Sequence, residues 1–155
     1  MDISKGAITS FRKQYRFLSN FYPCIIKDEN QIMYPSVEHY YQAMKSYDIN
    51  VHKHVASILE PKDAKLFGKR IFEDELDYRL DWDTVKLKFM TEALIQKFAP
   101  GTKLAQDLLN TVGYILIEGN NWHDNYWGVD TRYGIGENKL GILLMRIREN
   151  LLKNN

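Results

Sequence analysis

Four prolines set the grain of this 155-residue chain. Proline fixes φ and lacks a backbone N–H, so it is expelled from helix interiors and central strands. Pro23, Pro35, Pro61 and Pro100 fall where the apolar periodicity changes, and they cut the chain into short elements. Pro23 to Lys27 and Gln31 to Tyr34 read as strands around a hairpin turn at Asp28-Glu29-Asn30. Pro35-Ser36 stops the second strand, and Ser36 is placed to cap a helix running to about Tyr47. A second helix is expected from Asn50 to Leu59. Glu60-Pro61 breaks the chain again, and Pro61 suits the first position of a third helix ending near Gly68. Ile71 to Leu80 reads as a loop. Asp81 caps a long helix to about Phe98, with Trp82, Val85, Phe89, Ala93 and Leu94 near helical spacing. Beyond Pro100-Gly101 come a helix through Leu109, a strand from Tyr114 to Glu118 and a loop from Gly119 to Gly136. The last helix, Glu137 to Leu152, turns Leu140, Leu143, Leu144, Ile147 and Leu151 inward. The expected class is α+β: one compact, mostly helical domain over residues 1–155 with a small β-sheet or hairpin.

Hydrophobic residues at 45% and charged residues at 26% describe a globular rather than a disordered chain. A chain of this length buries about 70% of its unfolded surface, enough for a core without disulfide or metal. The net charge of +1 excludes an overall basic field for nucleic acid, though not a local groove. Cys24 is the only cysteine, and its run Pro23-Cys24-Ile25-Ile26 suggests a buried strand residue in a reducing compartment. No apolar stretch approaches the roughly 20 residues of a bilayer span. Met1 to Ser10 lacks the apolar region of a signal peptide, so a cytoplasmic location is expected. His39, His52, His54 and His123 show no ligand spacing, and neither a metal nor a cofactor is expected. Gly134-Ile135-Gly136 is not a dinucleotide fingerprint.

Chemistry concentrates in Ser36-Val37-Glu38-His39-Tyr40-Tyr41-Gln42-Ala43-Met44-Lys45. At about 100° per residue, Val37, Tyr40, Met44 and Tyr47 fall on one side, suited to a core. Glu38, Gln42 and Lys45 fall on the other, with Tyr41 at the border. On a continuous helix Glu38 and Lys45 point within about 20° of each other, about 10 Å apart along the axis. Such a stripe either lines a cleft or is a solvated face. His39 lies near the edge of the buried side and suits a core or supporting role.

This string resembles the conserved helix of the NADAR family, whose YbiA-like members are N-glycosidases. The resemblance continues in order along the chain. It takes in Phe17-Leu18-Ser19-Asn20-Phe21, Pro61 through Ala64 to Gly68-Lys69-Arg70, and Arg79-Leu80-Asp81-Trp82 with Lys86 and Met90. Asp124-Asn125-Tyr126-Trp127-Gly128 and Gly136-Glu137-Asn138-Lys139-Leu140-Gly141 with Leu144, Met145 and Arg148 complete it. One departure is visible: the family commonly sets arginine directly after the glycine, and here Lys69 intervenes before Arg70.

The resemblance implies hydrolysis of the bond between a ribose carbon and a base nitrogen. Two substrates follow from it. One is ADP-ribose on guanine, in a nucleotide or in ADP-ribosylated DNA. The other is a ribosylamino-pyrimidine phosphate of riboflavin biosynthesis. It implies Lys45 as a nucleophile forming a Schiff base with opened ribose. Glu38 is then either too distant to dominate the amine or the general base that shuttles its proton, and Asp124 is the candidate for protonating the leaving base or orienting ribose hydroxyls. Ser19, Asn20, Tyr41, Gln42, Arg70, Trp127, Gly128 and Asn138 are the implied substrate-binding residues.

Elementary chemistry constrains these roles. A lysine amine attacks only when neutral, and at pH 7 only about one free lysine in 2,500 is neutral. Burial or nearby cations must therefore lower the pKa of Lys45. Asp124 also has a turn reading, since Asn121-Trp122-His123-Asp124-Asn125 carries turn chemistry. Trp127 suits base stacking or loop anchoring equally. Gly128, Gly134 and Gly136 would let backbone approach a phosphate ahead of the last helix, whose N-terminus favours anions. Arg70, Arg79 and Lys139 are phosphate candidates by charge, or surface ion-pair partners. Two other functions compete: a module that binds nucleotide without cleaving it, and a helical interaction protein with Glu38, Gln42 and Lys45 in open solvent.

Overall fold

The computed structural model describes residues 5–154. They group into two units. One joins the chain's two ends, through Ser19 and from Phe98 onward; the other is Asn20–Lys97.

The Asn20–Lys97 unit starts with the expected hairpin, trimmed to β2 (Ile26–Lys27) and β3 (Met33–Tyr34), paired antiparallel. Asp28 is more than a turn residue. Its Oδ1 accepts from the Asn30 and Ile32 N–H groups at 2.9 and 3.0 Å, and its Oδ2 from the buried Tyr34 hydroxyl at 2.8 Å. Cys24 departs from expectation: it is half-buried and precedes the strand.

Three helices follow, α1 (Val37–Ala43), α2 (Ile49–Ser57) and α3 (Pro61–Glu73). Ser36 caps α1 as expected, its side chain accepting from the His39 N–H. Asp48 caps α2 in the same way. Helix α1 ends four residues before the expected Tyr47, for a tertiary reason. The Arg79 N–H takes the Lys45 carbonyl at 2.7 Å and its Nε takes the Met44 carbonyl at 2.6 Å, while Ser46 bridges to Tyr78. Tyr47, expected inside, is 52% exposed. Helix α3 begins at Pro61 as expected but runs on to Glu73, so Gly68 does not end it. The expected 71–80 loop therefore loses its first three residues to α3, and α4 (Trp82–Lys97) closes the unit on its expected bounds. Gln96 of α4 clamps the edge of β2, its amide bonding the Lys27 N–H and carbonyl, each at 2.8 Å.

In the other unit, β1 (Gly6–Ile8) pairs in parallel with β4 (Tyr114–Leu116), and a 3₁₀ turn covers Lys13–Leu18. Helix α5 (Lys103–Leu109), capped by Thr102, packs on α6 (Lys139–Lys153), which buries the five expected apolar residues. The 119–136 segment is not a plain loop. It holds β5 (Gly119–Asn120) and β6 (Val129–Asp130), paired in parallel. Helices dominate and the sheets are small, as the α+β class requires. No helix among the described residues is long and apolar enough to cross a membrane.

Candidate active site

Helix α1 has no solvent face. All seven of its residues are buried, including Glu38 at 7% exposure and Gln42 at 4%. A carboxylate this enclosed has little access to water and needs protein partners. Gln42 is one such partner, one turn on, its Nε2 donating to Glu38 Oε1 at 2.7 Å. The Glu38 N–H is taken by the Asn20 carbonyl at 3.1 Å, which fixes the start of the helix. Gln42 in turn lies against Gly68 of α3. A Cβ at Gly68 would stand 2.6 Å from Gln42 Cδ and collide with Oε1. The missing side chain at Gly68 leaves the space that the Gln42 amide occupies. Gln42 thus addresses Glu38 and Gly68, and its Oε1 has no hydrogen-bond partner.

Lys45 sits just beyond the helix end, so the straight-helix spacing from Glu38 does not apply. It is half-buried, with its amine 5.8 Å from the Tyr41 ring centre and 5.7 Å from that of Phe72. Burial pushes its pKa down to about 8. Glu38 opposes this, while Lys65, Lys69 and Lys86 reinforce it. The direction is the one a nucleophilic amine requires. Tyr41 is a buried wall, its ring 5.0 Å from Trp82, which stacks on Phe89. Neighbouring His39 is structural. Its Nε2 donates to the Ile58 carbonyl at 2.8 Å and its Nδ1 accepts from the Ser36 hydroxyl, and burial lowers its pKa.

The remaining sequence candidates fall in both units. Asn20 is half-buried, and its Nδ2 lies 3.5 Å from Met90 Sδ. Arg70 points outward on α3 in an ion pair with Asp74 at 2.9 Å. Arg79 spends its Nε on the Met44 carbonyl and stacks over Tyr47 and Phe89. Lys65, Lys69 and Lys86, whose charges act on Lys45, escaped sequence reasoning as a group. Lys65 and Lys69 one turn apart, flanking Gly68, were the available signal.

The other unit holds Ser19, Asp124, Trp127, Gly128 and Asn138. The Ser19 N–H closes the 3₁₀ turn onto the Arg16 carbonyl. Asp124 Oδ1 accepts from the Trp127 and Tyr126 N–H groups at 2.9 and 3.3 Å, which is the turn geometry. Half-buried Trp127 meets Tyr126 edge to face at 4.8 Å. Gly128 packs against the Glu118 carbonyl, where a Cβ would stand 2.9 Å from Asn120 Nδ2. The Asn138 side chain joins the Glu118 N–H to the Leu116 carbonyl. The backbone N–H groups ahead of α6, an anion candidate in the sequence, are already taken. The N–H groups of Glu137, Asn138, Lys139 and Leu140 bond the carbonyls of Asn125, Gly128, Tyr126 and Trp127. Lys139 instead lies over the Tyr126 ring. Sequence reading missed the centre of this loop, Asp130, only 1% exposed. His123 Nδ1 donates to it at 2.8 Å, and the bonded Arg132 guanidinium holds its carboxyl below the usual range.

Comparison with known proteins places the sequence and the fold beside characterised relatives. The NADAR domain model matches residues 9–152. The N-glycosidase YbiA of Escherichia coli (strain K12) is 35% identical over 137 residues, covering 88% of this chain and 82% of that protein. A riboflavin biosynthesis protein of Vibrio vulnificus (strain YJ016) is 36% identical over 139 residues, covering 90% of this chain but only 36% of its own length. The NMR structure of E. coli YbiA superimposes with a TM-score of 0.80 at 31% identity, over 99% of this chain and 90% of that one. The family match over nearly the whole chain and the shared fold agree with the motifs on α1 and α3, and this chain belongs to the NADAR domain family.

Proposed function

We propose that this chain is an N-glycosidase that hydrolyses the bond between ribose C1 and a base nitrogen, with Lys45 as covalent catalyst. The observation that carries the reading is the Lys45 amine, half-buried between two aromatic rings with its pKa drawn down to about 8. At that value about one amine in ten is neutral at pH 7, against about one in 2,500 for free lysine. Relatives from E. coli and Nostoc punctiforme are named N-glycosidases, which supports the same activity.

The neutral amine bonds to C1 as the C1–N bond to the base breaks, and the leaving nitrogen takes a proton. The amine then loses its protons as the C1–O4 ring bond opens and O4 is protonated, leaving a Schiff base. Water adds to C1, the C–N bond to Lys45 breaks and the sugar recloses. The sum is one water consumed, one sugar and one free base released. Glu38, buried and oriented by Gln42, shuttles protons to and from the amine. Asp124 protonates the leaving base. The family resemblance supports that role, and its Oδ1 also serves the turn.

The substrate we put first is guanine carrying ADP-ribose, free or in DNA. A specific observation favours the second reading, a ribosylamino-pyrimidine phosphate: relatives from V. vulnificus and Zea mays are named for riboflavin biosynthesis. Those proteins are much longer, this chain matching 36% and 25% of them. Release of free base from a panel of both classes distinguishes the substrates. Borohydride added during turnover should fix sugar to Lys45. Turnover without a trapped adduct would sink the covalent mechanism, and binding without turnover would favour the nucleotide-binding reading. The solvent-exposed interaction face is disfavoured by the burial of Glu38 and Gln42.

A further inference from the structure

Helix α3 presents different chemistry on its two flanks. Gly68, against Gln42, marks the direction of α1. At about 100° per residue, Phe72, Lys65 and Lys69 lie about 40°, 60° and 100° round one side of Gly68, and Arg70 lies about 160° away. The contacts agree with this wheel. The Phe72 ring is 5.7 Å from the Lys45 amine, Phe67 on the opposite flank packs on His54 of α2, and Arg70 pairs outward with Asp74. The lysine flank is therefore the one that borders Lys45.

We infer that the Lys65–Lys69 edge of α3, together with Lys86 of α4, is the anion site that takes the phosphate group of the sugar substrate. This rests on the glycosidase reading. Three further lysines act on the Lys45 amine, and Glu38 is the carboxylate that acts on it. Lys86 is held near Asp83 at 3.3 Å with its side chain mostly buried, and Lys65 and Lys69 are exposed. Lysine binds phosphate as a mobile point charge, and several on one edge act together on one anion. Arg70, the cation the family pattern points to, is turned away, and Lys69 stands in the place directly after the packing glycine.

The charges also fix a linkage. A phosphate at Lys65, Lys69 and Lys86 offsets cations that hold the Lys45 amine neutral, so its arrival raises the Lys45 pKa. By reciprocity, the phosphate binds less tightly as Lys45 loses its proton.

The test uses the full chain. Pyrophosphate and inorganic phosphate are titrated by calorimetry into wild type and into the Lys65→Gln/Lys69→Gln variant. Turnover is then compared on a ribosylamino-pyrimidine with and without its 5′-phosphate and on ADP-ribosyl-guanosine. Wild type should bind pyrophosphate, more weakly as pH rises through 8. The variant should bind at least roughly tenfold more weakly and lose its preference for phosphorylated over unphosphorylated riboside by a similar factor. A deficit on the monophosphate alone identifies a 5′-phosphate as the occupant, and one on ADP-ribosyl-guanosine alone identifies the diphosphate. Unchanged binding and preference in the variant overturn the inference, as does an Arg70→Gln variant that loses the preference instead. Turnover with no phosphate preference keeps the glycosidase and removes the anion site. Pyrophosphate binding lost in the variant, without turnover of any substrate, keeps the anion site and removes the glycosidase.

Discussion

Glu38, Gln42 and Gly68 form one mechanical chain, a carboxylate, the amide that aims it and the gap that admits the amide, and the carboxylate acts on the Lys45 amine through its charge. The amine attacks when neutral, so kcat/KM should rise with pH to a plateau, with a midpoint near the value of about 8 that burial gives Lys45. Below it the rate should fall about tenfold per pH unit. Removing Lys65 and Lys69 removes two cations that favour the neutral amine, so the midpoint of the double variant should move up, not down. Gly68→Ala tests the gap. Alanine is intrinsically the better helix residue by about 1 kcal/mol, so a surface site would gain stability. Here the added methyl meets Gln42, and a lower melting temperature with reduced kcat is expected, measured by calorimetry and base release. Asp124 permits a cleaner separation. Asp124→Asn keeps an oxygen for the Trp127 and Tyr126 N–H groups and loses the acid, whereas Asp124→Ala loses both. A catalytic aspartate makes both variants inactive with only the alanine form destabilised, and a turn residue leaves the asparagine form active.

Elements follow the sequence where their causes are local and depart from it where they are not. Ser36 as cap, Pro61 at a helix start and the apolar face of α6 act over one or two turns, and each was legible. The end of α1 was not, because Arg79, far along the chain, supplies the donors that stop it. Gly68 misled for a related reason. A glycine late in a helical pattern resembles a C-cap, but its missing Cβ serves a neighbouring helix that no periodicity reveals. For the candidate site, the sequence put Glu38, Gln42 and Lys45 on one segment, while the position of Lys45 past a helix end and the outward turn of Arg70 depended on packing. Arg79→Ala should fray this junction. Its N–H remains, but the side-chain bond to the Met44 carbonyl is lost, and a stability loss of about 1–3 kcal/mol is expected from denaturant titration. A fall in kcat should accompany it, since the backbone carrying Lys45 loses a fixed point.

The largest-scale surprise is that the two ends of the chain build one unit. Strand β1 pairs with β4 through a register no local pattern announces, and the Ile117 N–H bonds the Ile8 carbonyl. Three short residues carry too little alternation to be read as a strand. Deleting the chain through Ile8 should strip β4 of its partner and expose the surface that buried Ile8 covers. The expected loss is roughly 2–4 kcal/mol, visible as a lower urea midpoint.

A helix buried on every side has an evolutionary signature. Amphipathic helices tolerate substitution in a rhythm, with outward positions free to drift between constrained ones. The seven residues of α1 have no outward position, since even its carboxylate and amide are enclosed. Saturation mutagenesis scored by survival should therefore show an unbroken intolerant block from Val37 to Ala43, beside a periodic pattern on α3.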